Sequence, residues 1–265
     1  MEINNINTKL LSGQEANKYF ASEVEYLYHY TSIDALINGI VVKNPNEGEE
    51  ICLRATHNRY MNDPTEFEKG ITLLNNLLSI SNQLYGIDVN EAEIALNSYK
   101  RDFYFICFSE ESDNLPMWNM YGSNGHGVAL KFEKFQQEQS NDWIIKCDYL
   151  INNVKSRFED LNKTSLDVAL TYLVLMPFIL KNPAYSYEKE TRFVGSFKDV
   201  ETHYRYRDGV AIPYKNVFIE KSLLKSIVIG PAVNQEEVAN SLRKFLDDNN
   251  LQHVEIEFSE IPYRS

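Results

Sequence analysis

Two short stretches, far apart in the chain, carry residue types that do chemistry together. Leu27-Tyr28-His29-Tyr30-Thr31-Ser32 is an aromatic run that ends in a polar cluster and turns at once into a helical pattern. Tyr187-Glu188-Lys189-Glu190-Thr191-Arg192 sets carboxylates beside an arginine at the mouth of an apolar strand. An imidazole can bond a sugar hydroxyl or a carboxamide. A carboxylate can stabilise a developing cation and orient a nucleophile. A histidine at the end of one strand and a glutamate at the start of another make one polar cleft in an otherwise apolar sheet. Alternation puts Glu188, Glu190 and Arg192 on one face if the segment is extended. Glu190 beside Arg192 reads equally well as a plain ion pair.

Other candidates surround this pair. Tyr30 has a ring to stack on a ligand, while Thr31 also fits as the cap of the next helix, with Asp34 three residues on. Arg54 follows an apolar strand and suits bidentate contact with a phosphate. Asn62-Asp63-Pro64 reads as a turn, with Glu66 favouring the start of a helix. The run Phe103 to Phe108 delivers Ser109 to a loop. Trp118 and Tyr121 lie one turn apart on a helix, where they would sandwich a planar base or simply fill a core. Gly122-Ser123-Asn124-Gly125-His126-Gly127 has neither Walker nor dinucleotide spacing. The histidines 29, 57, 126, 203 and 253 lack metal-ligand spacing, so no metal is expected. No GxSxG elbow supports a serine hydrolase.

A net charge of -12 over 265 residues disfavours nonspecific contact with a phosphate backbone, though not a local basic groove. Seventeen Tyr and fourteen Phe are more rings than one core needs, so some should line a groove. Cys52, Cys107 and Cys147 form no CxxC pair, and their odd number argues against a disulfide framework and for a reducing cytoplasm. Met1 to Leu11 has no apolar core for a signal peptide. Val168 to Leu180 is shorter than a bilayer span and carries Pro177, so it reads as a buried helix bent or ended there, and no membrane partner is expected.

These residues need elements to position them. Residues 1–24 read as an N-terminal arm with a helix near Gln14 to Ala21, and residues 25–265 as one domain. Strands are expected at Tyr26–Tyr30, Glu50–Ala55, Phe103–Ser109 (central), Gly127–Phe132, Trp143–Tyr149, Arg192–Phe197, Val210–Pro213, Val217–Ile219, Ser226–Ile229 and His253–Phe258. Helices are expected at Ile33–Asn38 with Gly39 as cap, Thr65–Ser81, Glu91–Tyr99, Leu115–Tyr121, Leu161–Leu180, and from Asn234 to Asp247. Strands and helices mix without a regular βαβ repeat. The fold class is therefore α+β, with a mixed, mostly antiparallel split sheet and flanking helices.

In order, Leu27-Tyr28-His29-Tyr30-Thr31, Asn62-Asp63-Pro64 with Glu66, Cys107-Phe108-Ser109, Met117-Trp118 with Tyr121, Gly127-Val128-Ala129-Leu130 with Phe132, and Glu188, Glu190 and Arg192 resemble the domain-of-unknown-function 2971 family, over about Tyr26 to Phe197. More distantly, Tyr28-His29-Tyr30-Thr31-Ser32 followed by a short helix is similar to the opening of ADP-ribosyltransferases, DNA-modifying toxins among them. That likeness implies an ADP-ribosyltransferase-like sheet with NAD as substrate. His29 would hold the NAD ribose, Thr31 would assist, and Glu190 would be the catalytic carboxylate. Tyr121, with Tyr104 behind it, would stack on nicotinamide. Tyr30 stands where that family usually has glycine.

The expected function is an NAD-dependent ADP-ribosyltransferase-like enzyme of the bacterial cytoplasm, a toxin or phage-defence effector modifying nucleic acid or protein. Its catalytic residues would be Glu190 and His29. A small-molecule nucleotide would meet His29, Tyr30, Thr31, Arg54, Ser109, Trp118 and Tyr121. A non-catalytic nucleotide- or nucleic-acid-sensing module and a nuclease-like hydrolase are the alternatives.

Overall fold

The computed structural model describes residues 11–41, 50–63, 65–84, 103–134, 142–163 and 165–263. Its centre is β3 (Tyr104–Ser109), a run of aromatic and β-branched residues buried on both faces. One edge of β3 pairs along its whole length with β6 (Glu190–Gly195), which sets Glu190 opposite Ser109 and Arg192 opposite Cys107. The other edge is shared. β1 (Tyr26–Thr31) meets it at Ser109, and β2 (Glu50–His57) meets it at Phe105 and Tyr104. The sheet is thus split beside Cys107.

Around this fork the sheet has ten strands, with β4 (Val128–Glu133), β9 (Leu224–Ile229) and β10 (Glu255–Phe258) beyond β1. β8 (Val210–Glu220) and β7 (Thr202–Arg207) lie beyond β2, and β5 (Trp143–Lys146) pairs with β6. β9 and β10 run parallel; the other pairs are antiparallel. The expected α+β class with a mixed, mostly antiparallel sheet is therefore observed.

Helices cover both faces. One core joins Ile106, Phe108, Leu130 and Phe193 to Leu36 and Ile40, and to Leu242 and Leu246 of a C-terminal helix, Gln235–Asp248. Asn234 caps that helix, as its sequence suggests. The other core joins Phe105, Ile145 and Val194 to α1 (Gly13–Phe20), α3 (Glu66–Leu84), α5 (Ile151–Asn162) and α6 (Leu166–Ile179). Residues Val168 to Leu180 are all buried, so α6 is apolar on every side and enclosed. None of the described helices is long and apolar enough to cross a membrane.

Several expected boundaries need correction. Ser32, not Thr31, caps the turn after β1: its Oγ accepts from the Ala35 N–H, and Thr31 is the last strand residue. That turn, α2 (Ile33–Ala35), widens into Leu36–Ile40, so Gly39 lies inside it rather than ending it. The single helix expected at Leu161–Leu180 is α5 and α6, separated by a polar break at Lys163 and Ser165. β8 is one strand where two were expected, because Lys215 is buried and its ammonium donates to the carbonyls of Phe197 and Val200. β7 was not anticipated. The helix expected at Glu91–Tyr99 lies outside the described residues.

Gly70 shows how tightly the second core is closed. A Cβ there would lie 2.3 Å from the Pro177 Cα, so α3 crosses the end of α6 backbone to backbone. Gly70→Ala gains about 1 kcal/mol of helix propensity, but forcing the helices apart costs about 1–3 kcal/mol. We expect net destabilisation in urea denaturation; an unchanged or higher midpoint would refute the close crossing.

Candidate functional site

The split leaves the Cys107 carbonyl without a strand partner on one side, and His29 supplies one. Its Nδ1 lies 3.0 Å from that oxygen, and its ring packs edge-on against Phe108. A carbonyl only accepts, so Nδ1 carries the proton, and Nε2 of the neutral ring is left as an acceptor. Burial lowers the His29 pKa and the nearby Arg205 charge adds to this, while the bond to Cys107 opposes them. The ring stays neutral and Nε2 stays available.

His29 and Glu190 line one cavity of about 100 Å³, together with Tyr28, Tyr121, Lys181 and Glu188. Glu190 stands at the start of β6, 3% exposed, and its Oε2 accepts from Lys181 at 2.6 Å, Arg192 at 2.8 Å and the Cys147 thiol at 3.5 Å. Lys181 also bonds Glu188, and Arg192 also bonds Glu66 and the Phe178 carbonyl. Glu188 precedes the strand, but Lys189 adopts a left-handed conformation (φ 40°) that turns both carboxylates onto Lys181. The Tyr121 hydroxyl donates to Glu188 and accepts from Asn62, each at 2.7 Å. Three carboxylates thus face two cations, a surplus of one negative charge in a buried place.

The two glutamates respond in opposite directions. Burial would raise the Glu190 pKa, but Arg192 and Lys181 overcome it and hold that carboxyl well below the usual range. Burial also raises Glu188, with the Glu190 charge adding to it, and here Lys181 only partly compensates. Tyr121 is pushed up by burial and by Glu188, so it stays a phenol and a donor.

The other candidates divide. Tyr30 and Ser109 touch the same cavity, yet both are engaged in structure. The Tyr30 hydroxyl donates to the Glu111 carbonyl and accepts from the Asn114 N–H; Ser109 Oγ donates to the Glu188 carbonyl. Trp118 does not line the cavity. It is fully buried, its ring edge-on to Tyr30 at 4.8 Å, and its Nε1–H donates to Asp113. Of the two readings of Trp118 and Tyr121, Trp118 takes the core one, and α4 (Leu115–Met120) ends before Tyr121, whose hydroxyl turns to Glu188. Tyr104 is buried on β3 beside Lys215. Arg54 and Thr31 line a second hollow of about 250 Å³, which shares His29, Met61, Asn62, Cys107 and Tyr121 with the first. Among the described residues, no three His, Cys, Asp or Glu side chains gather as metal ligands would.

Residues 117–193 match the family described as protein of unknown function (DUF2971). The matched stretch contains Tyr121, Lys181, Glu188 and Glu190 of the cavity lining and Arg192 behind it, while Asp63 and Glu66 lie outside it. The likeness expected from Tyr26 to Phe197 is narrower in this match, which leaves out His29 and Arg54. Searches of curated proteins and of solved structures find no match.

Sequence reading passed over Lys181, the hinge of the buried charge network. Its signal was a lone lysine ending the apolar run Val168 to Leu180. Arg205 and Arg207 also line the second hollow. Their signal was the alternation Thr-His-Tyr-Arg-Tyr-Arg of β7.

Removing the lysine should be costly. Lys181→Met leaves two carboxylates buried side by side, and we expect a loss of about 3–5 kcal/mol in denaturant unfolding. Adding Glu188→Gln should restore part of it; no restoration would break the assignment.

The pH dependence has a defined sign. Glu190 is depressed in the folded state, so its stabilisation is present above the unfolded carboxylate range and is lost as pH falls toward the folded value. Glu190→Gln should therefore be less stable than wild type at pH 7, with the gap closing below about pH 4. A gap that stays constant from neutral to acid pH would contradict this.

Proposed function

We propose that the cavity binds the nicotinamide–ribose part of NAD and that the protein is an ADP-ribosyltransferase-like enzyme. The observation that carries this reading is that His29 and the Glu188–Glu190 pair line one hollow with a surplus of negative charge. A bare imidazole nitrogen accepts a ribose hydroxyl proton. A carboxylate excess in a place of low dielectric favours positive charge developing on the sugar. The fork in the sheet accords with the split sheet that the His29 segment suggests.

The chemistry runs as follows. The bond between the ribose carbon and the nicotinamide nitrogen breaks, and its electron pair leaves with neutral nicotinamide. A nucleic-acid, protein or water oxygen or nitrogen then bonds that carbon, and its proton passes to a carboxylate. Glu190 is tied to two cations and a thiol, so it anchors the wall. Glu188, held by Lys181 and Tyr121 and raised by burial, is the better base.

The saturation of Glu190 also favours a second reading, in which the same cleft senses a nucleotide without turnover. The test is incubation with NAD, followed by binding and nicotinamide release. We expect saturable NAD binding and slow release of nicotinamide, lost in Glu188→Gln by about a hundredfold or more while binding persists. His29→Phe should weaken binding. Binding without release would select the sensor, and absence of NAD binding would remove both readings.

A further inference from the structure

The second hollow concentrates positive charge in an acidic protein. Arg54 reaches it from β2, and Arg205 and Arg207 reach it from β7. Among the described residues none of the three makes an ion pair. Neutral groups hold them in place instead. Arg205 Nη2 donates to Thr56 Oγ1 at 3.0 Å, and Arg207 Nη2 donates to the Tyr60 carbonyl at 3.1 Å. Arg54 lies over the Tyr214 ring at 5.2 Å, against Gly39, where a Cβ would sit 3.3 Å from its Nη2.

Arg205 shows what is missing. Its Nε is enclosed and has no hydrogen-bond partner. Burial lowers its pKa, and the like charges of Arg207 and Arg54 lower it further. Three guanidinium groups with no ion-pair partner among the described residues repel one another, and a bound polyanion would offset that cost.

We propose that Arg54, Arg205 and Arg207 form a binding site for the diphosphate of a nucleotide. Guanidinium forks match phosphate oxygens bidentately, and three of them suit a ligand with more than one negative charge. The hollow shares the wall of His29, Asn62 and Tyr121 with the carboxylate cavity. A dinucleotide would lie with its diphosphate against the arginines and its sugar against His29. That orientation rests on the function proposed above; the anion site itself does not.

Inorganic pyrophosphate probes the arginines alone, because it has no sugar or base to enter the cavity. In calorimetric titration of the full chain we expect saturable one-to-one binding that weakens with salt and is competed by ADP. Arg205→Gln and Arg54→Gln should each lower the affinity by about tenfold or more. Arg207→Gln, at an exposed side chain, should lower it too, and serves if Arg205→Gln lowers the melting midpoint. Glu188→Gln should bind pyrophosphate like wild type, and wild-type protein that binds pyrophosphate but releases no nicotinamide from NAD removes the transfer reading and leaves the anion site. Absence of pyrophosphate binding at millimolar concentration, or wild-type affinity in the arginine variants, would overturn the proposal.

Discussion

The site is organised by one buried ion network. Lys181 joins Glu188 to Glu190, and Arg192 joins Glu190 to Glu66, with each of these residues under a tenth exposed. Charges removed from water are tolerable only when every partner stays in place. The five partners come from four parts of the chain: Glu66 from the start of α3, Lys181 from just past α6, Glu188 from the turn before β6, and Glu190 and Arg192 from β6 itself. The network therefore fixes how two helices sit on the sheet. The same fixing holds Glu188 against Tyr121, and Tyr121 against Asn62, so the cavity wall is rigid because the core is.

The fork in the sheet is the complementary constraint. Continuous pairing of β1 or β2 along β3 would satisfy the Cys107 carbonyl with backbone and leave no opening. Instead the two strands part along β3, and an imidazole does the work of a backbone amide. This fixes the tautomer of His29 and leaves its other nitrogen as an acceptor. The opening lies between a carboxylate-rich hollow and an arginine-rich one, so the protein carries a charge gradient across a few residues.

The strands flanking His29 and Glu190 were legible because their apolar periodicity is strong: β1, β3 and β4 are found close to where alternation and β-branching put them. That the two residues share a cavity followed from strand ends in one sheet. Charged residues that behave as core were the illegible part. Lys215 looks like a break in β8 but is a buried donor, and Lys181 looks like the polar end of a helix but is the centre of the ion network. β7 has no apolar face, and its pairing partner gives it strand form. Trp118 carried a binding role in the sequence pattern, but packing against Tyr30 and Asp113 claims both its ring and its donor.

The charge balance also bears on which chemistry suits the cleft. A nuclease-like centre needs several carboxylate oxygens open toward a divalent ion. Here Glu190 Oε2 already takes three donors, and both Glu188 oxygens are bonded, one to Lys181 and one to Tyr121. Glu190 Oε2 is a poor metal ligand because its lone pairs are spent, and each Glu188 oxygen already holds one donor. Their field remains, however: three carboxylates against two cations leave a net negative potential that needs no open coordination site. In the proposed transfer reading, a single positive charge spread over a sugar ring as its bond to nicotinamide loosens would feel that field without direct ligation. The same arrangement that disfavours a resident metal ion therefore suits a transient sugar cation, and the raised carboxyl of Glu188 is the member through which acid would erase the surplus.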